Sequence, residues 1–201
     1  MNMNWNDIWL RKNCEDRYDQ SGYEKWLPFD AYLKKNTAVA AFIRRKLATG
    51  DRVVNIGAGV GYLEELFPEK IADGSWAAFD VSPQSCKLSN GLVQQKDIVS
   101  IAAESSNGNF LIMMGCSMYF RSGHVYEACG VFKKLLIVDI ALEEYPLSLA
   151  TLDPAHYTYS VANFLQVAGI SAAETGKCLE LHHFSMVQHR MTVYLEDIRH
   201  A

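Results

Sequence analysis

Residues 53–62, VVNIGAGVGY, run a short apolar segment into a stretch with glycine at positions 57, 59 and 61. Nothing else in the chain constrains the fold as strongly. Such a pattern predicts a buried strand that ends in a loop whose backbone adopts conformations barred to residues with a side chain and approaches a ligand closely. A helix is expected directly after the loop, turning its unpaired N-terminal amides toward an anionic group. The loop therefore marks a cofactor site at the carboxyl end of a strand.

The segments around the loop give it a context. VVNI (53–56), SWAAFDV (75–81), GLVQQKDI (91–98), NFLIMMG (109–115) and KLLIVDIAL (134–142) alternate with helical stretches, the rhythm of βαβ units in a mostly parallel sheet. CLELHHFSM (178–186) and HRMTVYLED (189–197) lie too close together for a crossover and predict an antiparallel hairpin. Upstream, residues 3–48 are helical in character. Trp5, Ile8 and Trp9 share a face, and DAYLKKNTAVAAFIRRKLATG predicts an amphipathic helix closed by Gly50, with Arg44, Arg45 and Lys46 favouring the dipole of its last turn. A helical cap over residues 1–48 and an α/β domain over residues 49–201 follow, with EEYPLSLATLDPAHYTY (143–159) as the longest irregular connection.

Spacing separates two families of glycine loop. The dinucleotide pattern G-x-G-x-x-G/A needs a small third residue where this chain has Tyr62, a ring that obstructs close helix-to-strand packing. The nicotinamide-reductase reading loses ground for that reason. NIGAGVG (55–61) instead resembles the D/E-x-G-x-G-x-G loop of the class I S-adenosylmethionine-dependent methyltransferases, matching every glycine. The resemblance continues in order through most of residues 50–201. Asp80 ends the second strand 19 residues after Gly61, where the family keeps an acid for the ribose hydroxyls, with Val81 beside it. Asp97 follows 17 residues later, in the place of the family's adenine contact, with Ile98 next to it. Gly115 and Cys116 close the fourth strand, which in the family lies beside the methionine moiety.

The resemblance implies a Rossmann-like fold, a mostly parallel seven-stranded sheet with a C-terminal antiparallel hairpin and an N-terminal helical cap. It also implies S-adenosyl-L-methionine as cofactor, held by Asn55, Gly57, Ala58, Gly59, Gly61, Tyr62, Asp80, Val81, Asp97, Ile98, Gly115 and Cys116. One position departs from the family. Asn55 replaces the acid that opens the motif, so an amide of similar reach but no charge faces the cofactor's ammonium.

Each residue also has an ordinary structural reading. Asp80 stands where DVSPQS would open a helix and is a candidate cap. Cys116 has no adjacent basic partner and reads as a small buried hydrophobe rather than a nucleophile. His182 and His183, as strand neighbours, would point to opposite faces and share no metal ion, and no metal is expected. Five scattered cysteines without a C-x-x-C pair fit a reduced protein.

The expected reaction is in-line transfer of a methyl group to a small-molecule acceptor, with Tyr119 the first candidate for substrate contact and His124 the candidate for proton removal. MGCSMYF (114–120) stands where an N-P-P-Y-type tetrad would signal amide or base-nitrogen methylation. A formal charge of −4 gives no overall electrostatic reason to bind nucleic acid, and no apolar run approaches the ~18 residues of a membrane span. The start lacks the apolar core of a secretory signal, so a cytoplasmic location is expected. The competing reading is a non-catalytic protein that binds S-adenosylmethionine or S-adenosylhomocysteine as a regulatory or interaction partner. Asn55 is the residue that favours it. The acceptor, the methylated atom and the oligomeric state stay open.

Overall fold

The computed structural model describes residues 28–96, 109–116, 132–141, 179–187 and 190–197. It comprises two compact units, Met1–Gly50 with Ala58–Asp97 and Asp51–Gly57 with Ile98–Ala201.

The second unit holds a sheet in the order β1-β4-β5-β7-β6, made of β1 (Val53–Ile56), β4 (Phe110–Met114), β5 (Lys134–Ala141), β6 (Leu179–Val187) and β7 (Arg190–Asp197). β1 pairs with β4 and β4 with β5 in parallel, whereas β5–β7 and β6–β7 are antiparallel. The expected C-terminal hairpin is therefore present, and β7 joins it to the parallel strands. Val53 and Val54 of β1, Phe110 to Met113 of β4 and Leu135 to Val138 of β5 are all buried. These runs are apolar at every position rather than alternating, as strands covered on both faces require. Strict alternation fails in β6, where the register passes from Leu181 opposite Leu195 to His183 opposite Tyr194 and makes His182 the extra residue of a bulge.

The first unit contains β2 (Trp76–Asp80) paired in parallel with β3 (Gln94–Gln95), and helices α1 (Phe29–Lys46), α2 (Pro68–Ala72) and α3 (Pro83–Leu88). α1 realises the amphipathic helix read from the sequence. Leu33, Asn36, Val39, Ala40 and Ile43 form its buried stripe and Arg44, Arg45 and Lys46 its last turn. Gly50, with φ +85°, turns the chain after the helix has already ended at Lys46. Of the strand expected over 91–98, only Gln94 and Gln95 join the ladder among the described residues. Asn90 and Gly91 both take positive φ, and Val93 donates its amide to Ser89 Oγ at 3.0 Å instead of to a neighbouring strand. The mixed α/β, Rossmann-like character thus agrees with expectation. Residues 1–27 and 142–178 lie outside the described residues, and so do Trp5, Trp9 and the 143–159 connection. Among the described residues, no helix is long and apolar enough to cross a membrane.

A polar clamp holds the amino-terminal ends of the central strands. Asp51 Oδ2 accepts from Lys134 Nζ at 2.7 Å, and Asp51 Oδ1 accepts from Asn109 Nδ2 at 2.8 Å. Asn109 Oδ1 in turn accepts the Arg52 amide at 2.8 Å. The starts of β1, β4 and β5 are joined at this end, so the loops at their carboxyl ends are the ones left to carry chemistry. Asp51 and the Lys134 side chain are almost covered, and removing one member leaves a charge without its counterion in a poorly solvated place. Asp51→Ala is expected to cost roughly 3 kcal/mol of stability, read as a lower urea midpoint with an unchanged slope. An unchanged midpoint would show that the clamp contributes nothing.

Candidate functional site

Asp80, the last residue of β2, is 8% exposed and uses both carboxylate oxygens. Oδ2 accepts the Gly59 amide at 2.9 Å and Oδ1 accepts the Ser82 amide at 2.8 Å. Hydrogen bonds to a charged acceptor each contribute on the order of 1.5–3 kcal/mol, enough to hold a glycine loop in one shape. Ala58 adds a backbone bond to the Phe79 carbonyl at 3.1 Å. The helix-cap reading of Asp80 is corrected here. The N-cap of α3 is Ser82, whose Oγ accepts from the Ser85 amide at 3.2 Å with Pro83 in the first turn. Asp80 acts two residues earlier, aligning that cap.

A carboxylate has about four lone-pair directions, so two are left on Asp80 after both amides are counted. Next to it stands Val81, 62% exposed and the one large apolar side chain exposed among the described residues. A buried anion with spare acceptor capacity beside an uncovered apolar side chain suits a ribose and its attached flat base.

Gly57, Gly59 and Gly61 all take positive φ, at +69°, +61° and +85°. For Gly57 the reason is also steric. A Cβ there would lie 2.4 Å from Cys116 Cβ and 2.6 Å from Cys116 Sγ. Cys116 is buried, and its thiol donates to the Ile56 carbonyl at 3.0 Å. Its neighbour Gly115, with φ +67°, donates its amide to the Val138 carbonyl at 2.9 Å. Asn55 lies within β1 opposite Ile112 and is 1% exposed. An amide there costs far less to bury than an ionised carboxylate would.

The helix expected directly after the loop is absent. Turns lead into a 3₁₀ segment, Glu64–Leu66, and only then into the five-residue α2. Pro68 explains why the 3₁₀ segment does not run on into α2, because a proline disfavours helical geometry in the residue before it, and Phe67 accordingly sits at φ −133°, ψ 51°. A long helix dipole therefore does not serve this loop, and its fixed backbone amides and Asp80 do the positioning.

Tyr62, named from the sequence among the cofactor residues, is 2% exposed and packs with Leu33 and Val60. Its ring meets Phe29 and Tyr32 of α1 edge-on at 5.9 and 5.4 Å. It anchors the loop to α1. Further on, Arg44 Nη2 donates to the Leu66 carbonyl at 2.6 Å while its guanidinium covers the Phe67 ring, and Phe67 stacks on Trp76 at 4.4 Å. Trp76 Nε1 donates to the wholly buried Glu64 at 3.1 Å. Sequence reasoning missed Glu64 and the packing role of Cys116. Cys116 follows Ile56 by 60 positions, and no local pattern signals that pairing. Asp97, Ile98, Tyr119 and His124 lie outside the described residues. Asp80→Ala is expected to speed hydrogen exchange at the Gly59 and Ser82 amides by about tenfold or more, as the loss of ~1.4 kcal/mol of local protection implies. Exchange at wild-type rates, followed by NMR, would remove Asp80 as the loop's anchor.

No protein-family model matches the chain, and no curated protein matches it. Solved structures do. An S-adenosylmethionine-dependent methyltransferase from Archaeoglobus fulgidus superposes with TM-score 0.60 at 15% identity, covering 87% of this chain and 97% of its own. Magnesium protoporphyrin IX methyltransferase from Synechocystis PCC 6803, solved with bound S-adenosylhomocysteine, gives TM-score 0.58 at 13% identity over 94% of this chain and 95% of its own. The CurJ carbon methyltransferase gives 0.57 at 12% identity over 87% and 60%. With sequence identity this low the likeness is one of backbone architecture, and in that architecture the chain has the fold of the class I S-adenosylmethionine-dependent methyltransferases.

Proposed function

We propose that the protein is an S-adenosylmethionine-dependent methyltransferase acting on a small-molecule acceptor. The observation that carries this reading is Asp80. It is a buried carboxylate at a strand's carboxyl end that fixes the glycine loop through the Gly59 amide and keeps two acceptor directions for a pair of vicinal hydroxyls. Val81 supplies the apolar side chain against which an adenine would rest. The fold it shares with methyltransferases of known structure points the same way.

When bound, the cofactor supplies a methyl group already activated on a sulfonium. The chain's own part is then to bind, align and exclude water, effects that in general reach roughly 7–11 kcal/mol. Asp80 and Val81 take the nucleoside, and Asp97 with Ile98 the adenine edge. Asn55, the glycine loop and Gly115 with Cys116 are assigned to the methionine side. Tyr119 contacts the acceptor, and His124 removes its proton where the acceptor has one to lose. Residues 1–48 cover the acceptor as a cap. One structural neighbour is named a magnesium protoporphyrin IX methyltransferase and another a pyocyanin biosynthetic protein, which supports a small-molecule acceptor here. Nucleic acid is not proposed as a partner, and a cytoplasmic location is.

Asn55 supports a second reading, binding without turnover. Its uncharged amide at 1% exposure offers the ammonium of the methionine moiety no countercharge. The two readings part in experiment. Calorimetry should show S-adenosylhomocysteine binding, weakened about tenfold (~1.4 kcal/mol) in Asp80→Ala. Methyl-labelled S-adenosylmethionine added with a cell extract should then place label in the small-molecule fraction. Binding with no labelled acceptor in any fraction would favour the non-catalytic reading, and absence of binding would discard both.

A further inference from the structure

Glycine samples positive and negative φ almost equally, so a glycine loop by itself is a loose object. At Gly57 something outside the loop removes that freedom. The volume that a Cβ on Gly57 would fill is occupied by the Cβ and Sγ of Cys116. The same thiol donates to the Ile56 carbonyl at 3.0 Å, one residue before the glycine. Cys116 is itself held in place, because Gly115 turns the chain at the end of β4 and is tied to the Val138 carbonyl of β5. Strand β4 pairs with β1 in register from Val53 opposite Phe110 to Ile56 opposite Met113, which brings the two strand exits side by side.

We infer that Cys116 is a positioning residue for the glycine loop: packed on the α-carbon of Gly57 and bonded to Ile56, it selects the conformation in which the chain leaves β1, and thereby sets cofactor affinity. This rests on the functional reading above. It adds to the placement of Cys116 on the methionine side a role that requires neither direct contact with the ligand nor nucleophilic chemistry. The thiol suits the task in two ways. It is compact enough to lie against a bare α-carbon, and it is a weak donor that one carbonyl satisfies without a water.

The geometry makes the test specific, because the two atoms of Cys116 are separately removable. Cys116→Ala deletes the donor and Sγ but leaves the Cβ that crowds position 57, whereas Cys116→Gly removes both. S-adenosylhomocysteine affinity by calorimetry and thermal midpoint are measured for Gly57→Ala, Cys116→Ala, Cys116→Ser and Cys116→Gly, and for Gly57→Ala combined with each of the Ala and Gly changes at 116. Cys116→Ala is expected to bind about tenfold more weakly, and Cys116→Ser to return to within about threefold of wild type, since its hydroxyl still donates to Ile56. The steric part of the Gly57→Ala defect, in affinity and in thermal midpoint, should be relieved by Cys116→Gly and not by Cys116→Ala, while the cost of placing alanine at φ +69° remains in both double variants.

Wild-type affinity in Cys116→Ala, or equal relief by both second changes, would overturn the inference. If Gly57→Ala does not fold, the Ala and Ser variants at 116 decide the matter alone. If the wild-type protein does not bind S-adenosylhomocysteine, the functional reading fails. The thermal midpoints then still judge the contact, and absence of selective relief there would overturn it as well.

Discussion

The site depends on one anion placed among backbone amides. Asp80 ends β2 with its carboxylate almost covered, and such a group is tolerable only when its oxygens find donors. Gly59 and Ser82 provide them, one in the glycine loop and one at the start of α3. A single side chain thus fixes the loop and orients the helix cap that follows, before any ligand is considered. Its unused acceptor directions are a consequence of carboxylate chemistry, since two amides fill only half of what two oxygens offer.

The segment after the loop is secured by packing of a different kind. Tyr62 lies against Phe29 and Tyr32, Phe67 meets both the Arg44 guanidinium and Trp76, and Trp76 is bonded to Glu64. These contacts take the place of the long helix that commonly follows such loops. A loop held by aromatic faces and a buried indole-to-carboxylate bond is ordered in advance, which lowers the entropy lost when a ligand binds. It also gives a reason for Phe29 and Tyr32 at the start of α1 and for Arg44 in its last turn.

Structural likeness at this level of identity establishes architecture, and many chemistries share an architecture. The functional reading therefore leans on particular residues. Asp80 and Val81 have the chemistry a nucleoside needs. Asn55 pulls the other way on charge, while its burial within β1 makes an amide the less costly occupant of that position.

Much was legible in the sequence alone. Short apolar runs alternating with helical stretches marked β1, β2, β4 and β5 as strands of a mostly parallel sheet, and the amphipathic segment ahead of Gly50 marked α1. The short spacing of the last two runs allowed an antiparallel hairpin. The glycine loop and the acid 19 residues beyond it stood out because turn chemistry and ligand chemistry there are local in the chain. Tertiary structure decided everything that depended on register: the Cys116 side chain in the space beside Gly57, the clamp joining Asp51, Asn109 and Lys134, the bulge at His182, and the assignment of Ser82 rather than Asp80 as cap. Periodicity states which residues are buried. It does not state which distant residue will lie opposite, because that is set by how whole strands align once their apolar faces are covered.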